Sequence, residues 1–345
     1  MVQHFKAFAE SVMAAHPRAP DPFVVEIGSN DGILLQHVAQ AGIRHLGVEP
    51  SANVARVAIA KGVRTLCAFF NDDLARHIVQ EHGQADAILA ANVMSHIPIP
   101  NSVAAGIRRL LKPDGVFLFE APSLINVMEQ TSYDQIYDEH LFYFSVTSIS
   151  RLCERHGLEL VDLLPQDVHG GSVRYVITHA GKWAVSAAVR MACAREAQMK
   201  LGEAEPYEEF RQRIEASRRD LVALLYNLKR QGKRVIGYGA TAKSTTVTNF
   251  CGITTELVEF ITDSTPAKQG KVNPGMHIPI RPREAFEARY PDYALLFAWN
   301  HGAEIMAKEQ AFQRSGGKWI LYVPTVRIVD GMEAAAARAS AAVGA

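Results

Sequence analysis

Between Phe23 and His179, short apolar runs alternate with stretches of helical period, and the same alternation restarts at Lys233. Runs of this kind, too short for a helix and bounded by turn residues, are strands of a parallel sheet covered on both faces. The first region offers strands at 23–27, 44–48, 63–66, 86–91 and 115–120, with helical patterns between them. Two more, at 158–164 and 172–179, follow with no intervening helix. A connection that short joins antiparallel strands, because a parallel crossover needs a dozen or more residues. The second region offers strands at 234–238, 257–262, 293–297 and 319–322, so the two regions can be two copies of one fold type. The expected organisation is an N-terminal helix within 1–22, an α/β domain at 23–181, a helical connector at 182–232 broken near Gly202, a smaller α/β domain at 233–330, and a flexible tail at 331–345.

Composition limits the partners. Thirty-six basic residues balance thirty-six acidic ones, and general polyanion binding needs a basic surplus to displace counterions. No nucleic-acid partner is expected. No apolar run approaches the roughly 18 residues of a membrane helix, and the N-terminus carries no signal-peptide pattern. The four cysteines, Cys67, Cys153, Cys193 and Cys251, lie far apart with no CxxC pairing, so neither a zinc knuckle nor a disulfide framework is expected. The chain reads as a soluble cytoplasmic protein, monomeric or homodimeric, with no metal and no membrane partner.

The strongest motif is VVEIGSNDG, an apolar strand carrying Glu26 and followed by Gly28, Asn30 and Gly32. Glycines let a backbone turn sharply and approach a ligand. The spacing E-x-G-x-x-x-G differs from the G-x-G-x-x-G of dinucleotide binders. Glu49 ends the second strand in LGVEP, where a carboxylate accepts both ribose hydroxyls of a nucleoside. Together these residues resemble the class I S-adenosylmethionine-dependent methyltransferases, whose Rossmann-like sheet suits five parallel strands and an antiparallel pair better than a dehydrogenase does. Phe69 follows the third strand, where the adenine would stack, and Asn92 ends the fourth, near the methionine moiety.

A second constellation follows. NVMSHIP places His96 just past the fourth strand, and YDQIYDEHLFYF gathers Tyr133, Tyr137, Glu139, His140 and Tyr143. HGGSVRY adds His169, Ser172 and Arg174 as candidate substrate contacts. Methylating carbon requires a carbon nucleophile, made by removing a proton beside a ketone with a near-neutral base while donors hold the oxyanion. Histidine suits the first task and tyrosine or a second histidine the other. With GYGATAKSTTVTNFCGI, PAKQGKVNPGMHIP and LLFAWNH, these segments resemble the nucleotide-sugar C-methyltransferases of branched deoxysugar biosynthesis over about residues 1–330. The resemblance implies a nucleoside-diphosphate 4-keto-6-deoxyhexose, dTDP-linked, as substrate, methylated at C3 or C5. It implies His140 as general base and Tyr137, Glu139 and His96 as the other active-site residues. Family members usually begin with a cysteine-rich zinc-binding domain, and this sequence starts where that domain would already have ended.

The second glycine loop runs from Gly237 through Gly239 and Ala242 to Lys243, Ser244 and Thr245. Gly237, Gly239 and Ala242 satisfy G-x-G-x-x-G/A and Asp263 ends the next strand, the basis of a rival reading as an NADPH-dependent ketoreductase or a bifunctional enzyme. The preferred reading gives Gly239, Lys243, Ser244 and Thr245 to the pyrophosphate of the sugar nucleotide and His301 to the cleft lining. Trp299 reads as core. A further rival is a non-catalytic subunit that binds the cofactor and nucleotide.

Overall fold

The computed structural model describes residues 2–15, 20–168 and 170–330. Seven strands form the first sheet: β1 (Phe23–Ile27), β2 (Arg44–Val48), β3 (Thr65–Leu66), β4 (Ala85–Ala91), β5 (Leu111–Pro122), β6 (Leu158–Gln166) and β7 (Ser172–His179). They lie in the order β3-β2-β1-β4-β5-β7-β6, with β7 antiparallel to both neighbours. Every residue of β1 is buried, as a central strand covered on both faces requires. Successive side chains serve opposite cores. Val24, Leu89 and Leu118 meet Phe8 and Val12 of the helix Val2–Ala15, while Val25, Ile88 and Phe117 point the other way. This is the α/β class I methyltransferase sheet.

The second sheet comprises β8 (Val235–Tyr238), β9 (Ile261–Thr262), β10 (Ile280–Arg281), β11 (Tyr293–Leu296), β12 (Lys318–Leu321) and β13 (Arg327–Val329). Its order, β10-β9-β8-β11-β12-β13 with β13 antiparallel, repeats the first sheet through the central five strands and the antiparallel neighbour. β10 and β13 were not expected from the sequence. They are two and three residues long, too short to show a period, and Pro279 and Pro282 flank the former. In each sheet the strand order reverses beside its first strand, between β1 and β4 and between β8 and β11. Open α/β sheets bind ligands at the carboxyl ends of such a switch point.

The chain forms two compact units that differ from the expected domains. One takes the residues up to Ile125 together with Glu139–Gly202, and the other takes Asn126–Asp138 together with the chain from Glu203 onward. The expected connector, 182–232, is divided between the two units after Gly202. Glu196, on the helix Ala187–Gln198, is buried and accepts from the backbone N–H groups of Val146 (2.6 Å) and Thr147 (2.8 Å), capping the helix Val146–Arg155 of the first unit. Arg213, on the helix Glu205–Arg230, donates to the carbonyl of Met128 (3.0 Å) in the second. The expected N-terminal helix packs into the first unit, and the expected tail lies outside the described residues. No described helix is long and apolar enough to cross a membrane.

Candidate active site

At the end of β1 the backbone turns through three left-handed residues, Gly28 (φ +67°), Asn30 (φ +50°) and Gly32 (φ +77°). The amide of Gly28 donates to the Val48 carbonyl at 2.8 Å, folding the loop over the end of β2. A Cβ on Gly28 would stand 2.5 Å from a methyl of Val93, so only glycine lets the loop lie this close to the end of β4. Glu49 ties the two loops together: Oε2 accepts from Asn30 N (3.0 Å) and Oε1 from Ser51 N (2.8 Å).

Two buried acceptors in this region lack donors among the described residues, Oε2 of Glu26 and Oδ1 of Asn92. Burial holds the Glu26 carboxyl well above its ordinary value, against a hydrogen bond from the Leu35 backbone. Asn92 is itself left-handed (φ +55°), with its N–H given to the Glu120 carbonyl (2.9 Å). Unsatisfied buried acceptors cost free energy unless a ligand supplies donors. An ammonium group on the ligand answers both, as the methionine end of S-adenosylmethionine would, with Glu49 left for the ribose. Phe69 is 77% exposed and its ring face is open for stacking, whereas Phe70 is buried in the core.

Past the end of β4, the turn Met94–His96 is laced to the segment that follows the second histidine. The carbonyl of Ser95 accepts from the N–H groups of both Leu141 (2.9 Å) and Phe142 (3.3 Å). This pairing brings His96 and His140 edge to face, ring centroids 5.0 Å apart at 70°, with Tyr143 5.9 Å beyond His140. Both histidines are half-buried and Glu139 is exposed. Tyr137, also half-buried, lies on the segment that belongs to the second unit.

Several expected substrate contacts are otherwise engaged. Arg174 is buried, donates through Nε to Oε1 of Glu120 (2.8 Å) and lies 3.6 Å over the ring of Phe8, so its charge is answered inside the first unit. Ser172 is buried in β7 with its hydroxyl on the Val168 carbonyl. Tyr133 is buried in the second core, its hydroxyl 3.7 Å from the Cys251 thiol. Ser244 is fully buried and donates to the Thr241 carbonyl (2.6 Å). Each was expected at a ligand because its residue type suits one; in the fold each is bonded to a partner within its own unit. Lys243 is desolvated, which lowers its pKa, and its ammonium lies 4.7 Å from the centroid of the Trp299 ring beside Asp134. Thr245 and His301 are half-buried, and Gly239 (φ +92°) would bring a Cβ within 3.0 Å of Ala298. His169 lies outside the described residues.

The dinucleotide features of the second loop are also spent internally. A Cβ at Gly237 would meet Phe297 at 2.7 Å, so this glycine serves packing. Both Asp263 oxygens accept backbone N–H groups, from Ala240 and Thr265 at 2.8 Å each, and Lys268 donates to the Ala240 carbonyl (2.7 Å). Asp263 thus ties its loop as Glu49 ties the first, each carboxylate accepting one backbone N–H on each oxygen. Glu120 and Asp134, buried carboxylates at the centres of the two polar clusters, were missed because a lone acid in an apolar or mixed run gives no spacing signal.

Residues 3–163 match the methyltransferase domain family and residues 167–324 the C-methyltransferase C-terminal domain family. The C-methyltransferase NovU of Streptomyces niveus is 36% identical over 331 residues, 96% of this chain and 79% of that protein. The chain belongs to the C-methyltransferase family. This C-methyltransferase takes its methyl group from S-adenosylmethionine, in agreement with the loop geometry of the first unit. The ubiquinone biosynthesis O-methyltransferase of Ralstonia nicotianae is 23% identical over 45% of this chain and 71% of its own length. The magnesium protoporphyrin IX methyltransferase of Synechocystis PCC 6803, solved with bound SAM, is 14% identical with a TM-score of 0.39, over 52% of this chain and 79% of that one.

Proposed function

We propose that the enzyme removes a proton from the carbon beside the 4-keto group of a nucleoside-diphosphate 6-deoxyhexose, C3 or C5, and that the resulting enolate carbon is methylated. The observation that carries this reading is the pair of imidazoles 5.0 Å apart at the carboxyl edge of the first sheet, beside the glycine loop suited to the methyl donor. His140 takes the proton as general base. His96, held next to it by the Ser95 carbonyl, and Tyr137 donate to the oxygen on which the enolate charge develops. Glu139 positions the sugar or the imidazole. The proton taken by His140 passes to solvent after turnover. When bound, S-adenosylmethionine supplies the electrophilic methyl group that such a carbon takes up.

A dTDP-linked sugar of deoxysugar and antibiotic biosynthesis, handled in the cytoplasm, fits this chemistry. Gly239, Lys243, Thr245 and His301 are the remaining candidates for its nucleotide end, and the buried Lys243 ammonium has no hydrogen-bond partner among the described residues. The reductase reading rests on a bare G-x-G-x-x-A, and the first glycine of that match makes room for Phe297 inside the fold.

The test is exchange of the acceptor C–H with deuterated water, followed alongside transfer of a labelled methyl group. His140→Asn is expected to reduce both by about a hundredfold or more, the usual worth of a positioned general base, while S-adenosylmethionine still binds. Exchange and transfer near wild type in that variant would remove His140 from the base role.

A further inference from the structure

The helices Pro100–Leu110 and Val146–Arg155 of the first unit border an open groove of about 330 Å³. That lies within the range of small-molecule sites, about 300–1,000 Å³. Much of its lining is aromatic. Phe142 and Phe144 stack at 6.2 Å and 16°, and the buried Phe144 meets Phe119 of β5 edge to face at 5.8 Å, which anchors the stack in the core. Pro100 and Leu152 complete the apolar lining. A contact of 3.0 Å between His156 Nε2 and Asn101 Oδ1 ties the end of one helix to the start of the other, so the groove is formed before anything enters it. Two cations edge this apolar slot. Arg151 and Arg155 lie one helical turn apart, are both exposed, and have no hydrogen bond or ion pair among the described residues. Like charges at i and i+4 weaken a helix. The acid on the same helix does not answer them, because Glu154 acts on the thiols of Cys153 and Cys193. No carboxylate lines the groove. Elsewhere in the unit Arg44, Arg76, Arg109 and Arg174 each face one.

We propose that this groove is a binding site for a small molecule in which a flat ring carries a dianionic phosphate. It is separate from the candidates for the nucleotide end of the sugar substrate, which belong to the second unit. The ring packs against the aromatic lining, where offset or edge-to-face contacts add to the gain from burial alone. The phosphate accepts from both guanidinium groups, whose planar forks match its oxygens. Residues one turn apart have Cβ atoms about 5–6 Å from each other, so two arginine side chains reach a single phosphate. Its charge near neutral pH, about −1.5 to −2, equals that of the two unanswered cations in size. A carboxylate on the same ring leaves one cation unanswered, and an uncharged ring leaves both. Tyr143 also lines the groove and meets His140 edge to face at 5.9 Å, so the ligand lies next to the segment of the candidate base. The site itself does not depend on a catalytic role for His140.

The experiment measures binding of naphthyl phosphate to the full chain by the change in its fluorescence. No turnover is involved, so its failure and the failure of the catalytic reading are separate results. Naphthol supplies the ring alone, inorganic phosphate (followed by displacement) the charge alone, and naphthoate the ring with a single charge. Naphthyl phosphate is expected to bind about tenfold or more tighter than each of the three. Arg151→Gln and Arg155→Gln should each weaken it by about tenfold, the loss of one hydrogen bond to a charged group, and leave naphthol binding unchanged. Both side chains are exposed, so the variants keep the fold, which near-UV circular dichroism verifies. Arg56→Gln, at an exposed position on the helix Ala52–Ala60, controls for general charge and should bind as wild type does. Equal affinity for naphthol and naphthyl phosphate overturns the proposal. So does unchanged affinity in both groove variants, or a comparable loss in Arg56→Gln.

Discussion

Glu120 is the residue on which the first unit should be most sensitive. It lies near the end of the buried stretch of β5 and is fully inaccessible. His4 Nε2 lies 2.7 Å from Oε2, and Arg174 Nε donates to Oε1 at 2.8 Å. Arg174 also lies over Phe8 and reaches Ser11, so one carboxylate holds the helix Val2–Ala15 to two strands. Glu120→Ala leaves the Arg174 guanidinium buried without its counter-charge, and breaking a buried pair from one side costs about 3–5 kcal/mol. For a unit of about 190 residues, each kcal/mol shifts the midpoint by about 2–4 °C, so Tm should fall by about 6–20 °C. Thermal unfolding of the full chain, followed by near-UV circular dichroism, measures it. The pH dependence is a second check. Burial pushes the Glu120 carboxyl up, yet His4 and Arg174 together outweigh burial and hold it below its ordinary value. A depressed acid contributes stability that is present above the unfolded carboxylate pKa, about 4.3, and is lost as pH falls through the native value. The gap between wild type and Glu120→Ala should therefore narrow in acid. A variant within about 1 kcal/mol of wild type at pH 7 would refute the assignment of a buried ion pair.

Glu26 titrates with the opposite sign: because its native value is raised by burial, stability of the ligand-free chain declines as pH climbs from the ordinary carboxylate value toward the raised one. Glu26→Gln should remove that slope, with a gain of about 1.4 kcal/mol at high pH for each unit by which the native value is raised, and no gain near pH 4. A wild-type slope of Tm against pH in the variant would contradict this. Gly28→Ala should weaken S-adenosylmethionine binding by about tenfold or more, from a left-handed backbone that costs a side chain about 1–2 kcal/mol and from the clash with Val93. Calorimetry on Gly28→Ala with and without Val93→Ala separates the two, since removing the valine relieves only the contact.

The sequence by itself determined the class of both sheets. Short, mainly apolar runs such as Phe23–Ile27, broken only by Glu26, suit interior strands, and the residues between them have the period of a covering helix. It determined the glycine loop for the same reason, since Gly28 and Gly32 occupy backbone that other residues avoid. It also marked His96 and His140 as candidates, but their approach to 5.0 Å depends on two N–H groups finding the Ser95 carbonyl, a pairing that no local pattern encodes. Tertiary structure alone decided which polar residues are spent. Arg174, Ser244, Tyr133 and Asp263 carry ligand-binding chemistry in their side chains, and each is committed to a buried partner that lies elsewhere in the chain or in its own turn. It decided the domain boundary as well. Composition placed one connector between two domains, whereas the buried contacts of Glu196 and Asp134 divide that connector and carry Asn126–Asp138 into the second unit. Periodicity reports which face of an element meets a core; the partner of a single buried charge is fixed only when the elements have packed.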